Sequence, residues 1–218
     1  MRLVLASASP RRAELLRAAG FTFDIAPAEV DERVRGAETA ADYVRRLASD
    51  KSAAAWTLVA RPFHPSTGSG CPELVEGQGR EGGAESPALQ EDLIVLGADT
   101  AVVVDGEILG KPRDDQDAAA MLRRLSGRRH EVMTGVSLRS RSGERGLIEA
   151  TSVYMVELRD EDIAWYVGTG EGRDKAGAYA IQGLASRFIP RIDGSYANVV
   201  GLPIADVSLM LSALASTG

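Results

Sequence analysis

Apolar residues along this chain fall into short blocks of two periods, and the blocks alternate. Leu3-Val4-Leu5-Ala6 is an unbroken apolar run followed by Ser7-Ala8-Ser9-Pro10, which predicts a buried strand turning into a helix with Leu15, Leu16 and Ala19 inward. Ser9 as N-cap, Pro10 at the first helical position and Gly20 just past the end supply start and stop signals. A second helix is expected from Ala40 to about Trp56, with Tyr43, Val44 and Leu47 on one face. Leu93-Ile94-Val95-Leu96 opens a strand that runs through Gly97-Ala98-Asp99-Thr100 to Val104, and Asp105-Gly106 predicts a tight hairpin into Ile108-Leu109. A helix from Asp114 or Asp115 to Leu125, ended by Gly127, precedes strands near 131–138 and 148–158 and a short helix over 160–167. The last helix begins at Pro203 and puts Ile204, Val207, Leu211 and Leu214 on one stripe. Strands alternating with helices, with hairpins between them, predict a mixed α/β fold.

One stretch breaks the pattern. Residues 61–91 contain six Gly, four Pro and three Ser and keep neither period, so they read as a surface insertion into a single domain spanning 1–218. Cys71 and His64 lie inside it. With 218 residues, 44% of them hydrophobic, the chain can bury a sizeable core. A net charge of -6 excludes a protein whose main work is gripping a nucleic-acid backbone, although a local basic pocket for a small anion remains compatible with it. A lone cysteine forms no intramolecular disulfide, and no apolar run approaches the roughly 20 residues of a membrane span; a cytoplasmic, membrane-free protein is expected.

The charged residues at element ends carry the candidate chemistry. Arg11 and Arg12 sit in the first turn of a helix, where the dipole disfavours cations. Together with the free amides after Ser7-Ala8-Ser9 they form a receptor for phosphate oxygens, or else two solvated arginines. Asp99 follows an apolar strand, so its carboxylate is expected in or beside the core, where it needs a metal, a lysine or donor hydrogen bonds. Lys111, in the rigid turn Leu109-Gly110-Lys111-Pro112, is placed to point back toward Asp99. Asp31-Glu32 and Lys51, the latter read as ending a helical stretch, are each most often solvated charges when taken singly. Lys175-Ala176-Gly177-Ala178-Tyr179-Ala180-Ile181-Gln182-Gly183 permits close backbone approach to a ligand, with Lys175 adding charge and Gln182 able to read a base edge. Gly194 to Pro203 packs further polar residues ahead of a helix start. His130 is the one histidine outside the insertion, which leaves too few parts for a histidine zinc site or a Ser-His-Asp triad. Carboxylates, lysines and arginines instead suit hard-metal and phosphate chemistry.

Taken in order, Ser7 to Arg12, Gly97-Ala98-Asp99-Thr100, Gly110-Lys111-Pro112, Lys175 to Gly183 and Ser195 to Pro203 closely resemble the Maf family of nucleoside triphosphate pyrophosphatases. The resemblance covers nearly the whole chain except 61–91. It implies an inosine-triphosphatase-like fold, a mixed sheet with flanking helices and two lobes around a cleft. It also implies a homodimer, a divalent cation (Mg, Mn or Co) and hydrolysis between the α- and β-phosphates. Gly-Ala-Asp-Thr with the later Lys-Ala-Gly motif resembles the branch acting on dTTP and UTP; a 7-methyl-GTP-like substrate and a non-catalytic regulator of septum formation are the alternatives. Carried over by position, Asp99 is the catalytic carboxylate and Glu32 a second metal ligand, while Arg12, Lys51 and Lys111 hold phosphates. Arg11, Thr100 and Gln182 match positions that set base selectivity, and Ser7 and Lys175 complete the substrate contacts. Gly172-Arg173 replaces a proline-containing step of the family, which is expected to loosen that loop.

Overall fold

The computed structural model describes residues 1–60 and 93–215; the insertion expected at 61–91, with Cys71 and His64, lies outside the described residues. Among those described, seven strands form one mixed sheet in the order β2-β1-β3-β5-β6-β7, with β4 paired to β3. The strands are β1 (Arg2–Leu5), β2 (Asp24–Ile25), β3 (Leu93–Val104), β4 (Glu107–Leu109), β5 (Arg129–Ser140), β6 (Gly143–Tyr154) and β7 (Arg191–Asp193). β1 runs parallel to β2 and β3, and the remaining pairs are antiparallel. The helices are α1 (Pro10–Ala18), α2 (Ala40–Val59), α3 (Asp115–Leu125), α4 (Asp160–Thr169), α5 (Tyr196–Val200) and α6 (Ile204–Ala215). The alternation of periods had predicted a mixed α/β fold, and the family resemblance a mixed sheet with flanking helices; both are found.

Local signals account for most boundaries. The Asp105-Gly106 turn has φ of 53° and 78°, the paired left-handed geometry that matches the twist of a two-residue hairpin. Asp114 caps α3 by accepting from the Asp117 amide, and Gly127, at φ 67°, turns the chain away after it. Several expectations need correction. Ser9 occupies the N-cap of α1 but its side chain makes no capping bond, and Ala19 is exposed. The strand placed at 148–158 begins earlier and ends at Tyr154, because its pairing with β5 sets its limits. The 194–203 segment holds α5, a helix too short to show a period. Gly172-Arg173 does not loosen its loop. A Cβ on Gly172 would lie 2.1 Å from the Ala178 carbonyl oxygen, and both Arg173 nitrogens Nε and Nη2 donate to Asp115 at 2.9 Å.

Alternation along β3 and β5 divides the interior. Leu96, Ala98, Val136 and Leu138 pack with Leu16, Val207 and Leu211 from α1 and α6. Further along the same strands, Val102 and Val132 pack with Leu122, Tyr166, Tyr179 and Phe188. Thr100 and Thr134, register partners whose hydroxyls lie 2.9 Å apart, interrupt the apolar face between these two cores. The opposite face carries α2, which approaches so closely that a Cβ on Gly97 would lie 2.2 Å from the Ala48 carbonyl and one on Gly135 2.3 Å from that of Val44. Glycine at both crossing points is what lets the helix backbone touch the sheet.

Candidate active site

The close seat of α2 on β3 fixes the centre of the site. Lys51 lies in the middle of α2, not at its end, and its side chain is only 10% exposed. Its Nζ donates to Asp99 Oδ1 at 2.6 Å and to Glu32 Oε1 at 2.7 Å, so one ammonium joins a buried strand carboxylate to one delivered by the 26–38 segment. A lone buried carboxylate at Asp99 would be expensive; the lysine removes most of that cost. Partial burial pushes the Glu32 carboxyl up, but the Lys51 hydrogen bond and the charges of Lys51, Lys111 and Arg12 together hold it below the usual range. Lys111 does not pair with Asp99 as its turn had implied. Its Nζ lies 4.0 Å from Glu32 Oε2 on a side chain 65% exposed, free to reorient.

Arg12 and Arg11 part company. Arg12 is buried, and its Nε, Nη1 and Nη2 donate to the Gly201 carbonyl (2.8 Å), Ser7 Oγ (3.1 Å) and Thr100 Oγ1 (3.0 Å). Burial lowers its pKa, with the Asp99 charge opposing that shift. It therefore ties the end of β1, the centre of β3 and the turn after α5 into one polar seam between the two cores. Thr134 extends the seam by donating to the Asn198 carbonyl at 3.3 Å. Arg11 is half-buried, has no hydrogen-bond partner among the described residues and faces the cleft, where burial again pulls its pKa down. Of the two arginines, Arg11 is the one with donors to spare for a ligand.

The later segment closes the site. Gly177 donates its amide to the Gly110 carbonyl at 3.1 Å, which joins the Lys175 turn to the Lys111 turn. Lys175 Nζ pairs with the neighbouring Asp174 carboxylate. Gln182 is exposed at the cleft, on a turn organised by a residue that carried no signal in the sequence: Glu171 accepts from the Tyr166 hydroxyl (2.7 Å) and from the amides of Leu184 (2.9 Å) and Ala185 (3.4 Å). Tyr166 hydroxyl in turn accepts from the Ala180 amide at 3.1 Å.

One cleft of about 900 Å³ collects every candidate. Ser7, Arg11 and Arg12 come from the first strand-helix turn, Glu32, Lys51, Asp99 and Thr100 from the centre, and Lys111, Lys175 and Gln182 from the later turns. Tyr43 also lines it; burial and the charges of Asp99 and Glu32 push its phenol up to about 12. Its place on an apolar helix face hid that role. His130 stands apart from this chemistry: it is buried and shares a 2.7 Å hydrogen bond with the Tyr179 hydroxyl.

Among the described residues, no three His, Cys, Asp or Glu side chains converge into a ready-made metal cage. Asp99 and Glu32 nevertheless converge on one cation, the Lys51 ammonium. Two carboxylates in a cleft also lined by arginines and lysines fit the habit of Mg²⁺, which takes one or two protein carboxylates and completes its shell with water and substrate oxygens.

Known proteins are similar to this chain over nearly its whole length. The dTTP/UTP pyrophosphatase of Hahella chejuensis is 45% identical over 210 residues, 96% of this chain and 90% of its own. That of Methylobacillus flagellatus is 47% identical over 96% of this chain and 91% of its own, and that of Geobacter sp. (strain M21) 44% over 99% and 97%. Among solved structures, similarity extends to the Staphylococcus aureus Ham1 protein, at 15% identity and a TM-score of 0.40 over 71% of this chain and 72% of that one. No helix among the described residues is long and apolar enough to cross a membrane. The family profile described as Maf-like protein matches residues 2–214, both cores and the whole cleft included, and the chain belongs to the Maf family.

Proposed function

We propose that this chain is a nucleoside triphosphate pyrophosphatase that hydrolyses dTTP and UTP to the nucleoside monophosphate and pyrophosphate. The observation that carries the reading is the buried Asp99–Lys51 pair, joined by the half-exposed Glu32, in a cleft that Arg11 and Lys111 also line. Relatives at 44–47% identity named for dTTP and UTP supply the substrate.

In the reaction a water oxygen bonds to the α-phosphorus, the bond to the bridging oxygen breaks, and that oxygen leaves with pyrophosphate. Asp99 orients the water and takes its proton. Lys51 keeps two carboxylates compatible with an incoming polyanion, and Lys111 and Arg11 have donors free for the departing phosphates. Asp99 and Glu32 would hold the divalent cation, Mg, Mn or Co, whose chemistry when bound is to neutralise charge on the phosphate oxygens. Gln182 and Thr100 border the space left for the base. Thr100 is held by Arg12 and Thr134, so its position is fixed before a ligand arrives. A homodimer and a cytoplasmic setting belong to the same proposal, and sedimentation of the purified protein measures the first.

A panel of dTTP, UTP, CTP, GTP and 7-methyl-GTP, assayed for pyrophosphate with Mg²⁺, tests the function. dTTP and UTP are expected to lead, and Asp99→Asn to lose at least about a hundredfold in turnover. Preference for 7-methyl-GTP would move the substrate to a modified purine. Nucleotide binding without pyrophosphate release would replace the enzyme by a regulator.

A further inference from the structure

Glu32 poses a problem of support. Residues 26–38 contain no helix or strand, and the segment around Glu32 is exposed, yet its carboxylate meets the buried Lys51 at 2.7 Å. An unsupported surface segment would not hold a carboxylate within the tolerance that catalysis demands. Three successive main-chain carbonyls show what does. Arg46 Nη1 donates to the Asp31 carbonyl (3.2 Å), the Tyr43 hydroxyl to that of Glu32 (3.0 Å) and Arg46 Nη2 to that of Arg33 (3.1 Å). Arg46 is itself pinned, its Nε and Nη2 donating to the two oxygens of Glu38 at 2.7 and 2.8 Å. Both side chains of that pair are sheltered, at 15% and 10% exposure.

We propose that Arg46, assisted by Tyr43, is a positioning residue that holds Glu32 in the site by clasping the carbonyls on either side of it. Tyr43 and Arg46 lie three residues apart on α2, one turn of helix, and Lys51 follows on the same helix. One rigid element thus grips Glu32 twice, by its backbone through Tyr43 and Arg46 and by its carboxylate through Lys51. A guanidinium suits this role because its planar fork presents five donors, enough for two carbonyls and a bidentate carboxylate at once, where an ammonium has three on a single atom. Arg46 does not line the cleft, so its effect on turnover passes through Glu32.

The proposal rests on the pyrophosphatase reading for its kinetic arm and on structure alone for its second arm. With dTTP and Mg²⁺, Arg46→Met is expected to lower kcat about 10- to 100-fold with KM within about threefold, because a small misplacement of a reacting group suffices for that loss. Arg46→Lys should not rescue it. In a Glu32→Gln background, assayed at enzyme concentrations that keep its turnover above background, Arg46→Met should cost less than about a further threefold, since the group it serves is gone. Full multiplication of the two effects, or wild-type turnover by Arg46→Met, overturns the proposal. Should Arg46→Met fail to fold, Tyr43→Phe removes one hydroxyl and is expected to give a fall of about 3- to 10-fold with the same cancellation. The second arm needs no turnover: trypsin is expected to cut after Arg33 and Arg35 at least about tenfold faster in Arg46→Met, as a braced segment becomes free to open. Unchanged cleavage there removes the brace whatever the protein hydrolyses.

Discussion

At the scale of single residues, His130 separates stability from catalysis. Burial alone pushes its pKa down from 6.5 to about 4, so the folded protein keeps the ring neutral. Below about pH 6.5 the unfolded chain takes up a proton that the fold refuses, and stability falls until the pH reaches about 4, where the folded ring titrates too. Between pH 7 and pH 5 this one group should remove about 2 kcal/mol. The carboxyls held low in the fold, Glu32 and Glu38 among them, lose their contributions at lower pH than this window, so the upper limb belongs to the histidine. His130→Phe keeps a ring in the space and removes the titration. It leaves the Tyr179 hydroxyl without its 2.7 Å partner and should cost about 1–3 kcal/mol at pH 7. Urea unfolding at the two pH values should show a steep drop for the native chain and a shallower one for the variant. Equal drops would mean that the pH dependence arises elsewhere.

Among the elements, the seat of α2 decides whether the site exists. Gly97 precedes Asp99 by two residues in β3, and any side chain there meets the backbone of α2 at Ala48. Backbone cannot rotate aside as a flexible side chain does, so Gly97→Ala must lift the helix. The overpacking should cost about 2–3 kcal/mol, a fall of roughly 5–10 °C in Tm for a chain of this size. It should also lengthen the Lys51–Asp99 contact and reduce turnover at temperatures where the variant is still folded. Turnover equal to that of the native chain, with Tm unchanged, would show that the helix tolerates the extra carbon. The same contact explains what could be read from the residues and what could not. Helix starts, the Asp105-Gly106 hairpin and the long β3 strand were legible because their signals are local. The reading of Asp99 as a carboxylate needing a partner was also legible, because an acid inside an apolar run is a local conflict. Lys51 read as a solvated helix-end charge because its burial depends on glycines more than forty residues away. The hold that Arg46 and Tyr43 have on the Glu32 segment left no signal, since it runs through main-chain carbonyls, which carry no side-chain identity. The grouping of Arg11, Glu32, Lys51 and Gln182 came from likeness to a family, and the fold brings these residues to one cleft.

For the molecule as a whole, the balance of charge in the cleft sets what it can bind. The chain carries a net charge of -6, whereas the cleft is lined by five arginines and lysines against four aspartates and glutamates. Three of those cations are already committed, Arg12 to three neutral oxygens, Lys51 to two carboxylates and Lys175 to Asp174. Little positive charge remains for a triphosphate, and the protein's own field opposes its entry. Asp99 and Glu32 would therefore weaken binding of a polyanion unless a divalent cation enters with it. A non-hydrolysable dTTP analogue titrated by calorimetry distinguishes the two situations without any turnover. In EDTA the analogue should bind at least about tenfold more weakly than with Mg²⁺, the change expected when charge neutralisation is worth about 1.4 kcal/mol or more. Glu32→Gln removes one negative charge, so in EDTA it should bind the analogue more tightly than the native chain, while with Mg²⁺ the order should reverse. Equal affinity with and without the ion, or no reversal in the variant, would mean that the carboxylate pair serves Lys51 alone and that no metal joins them.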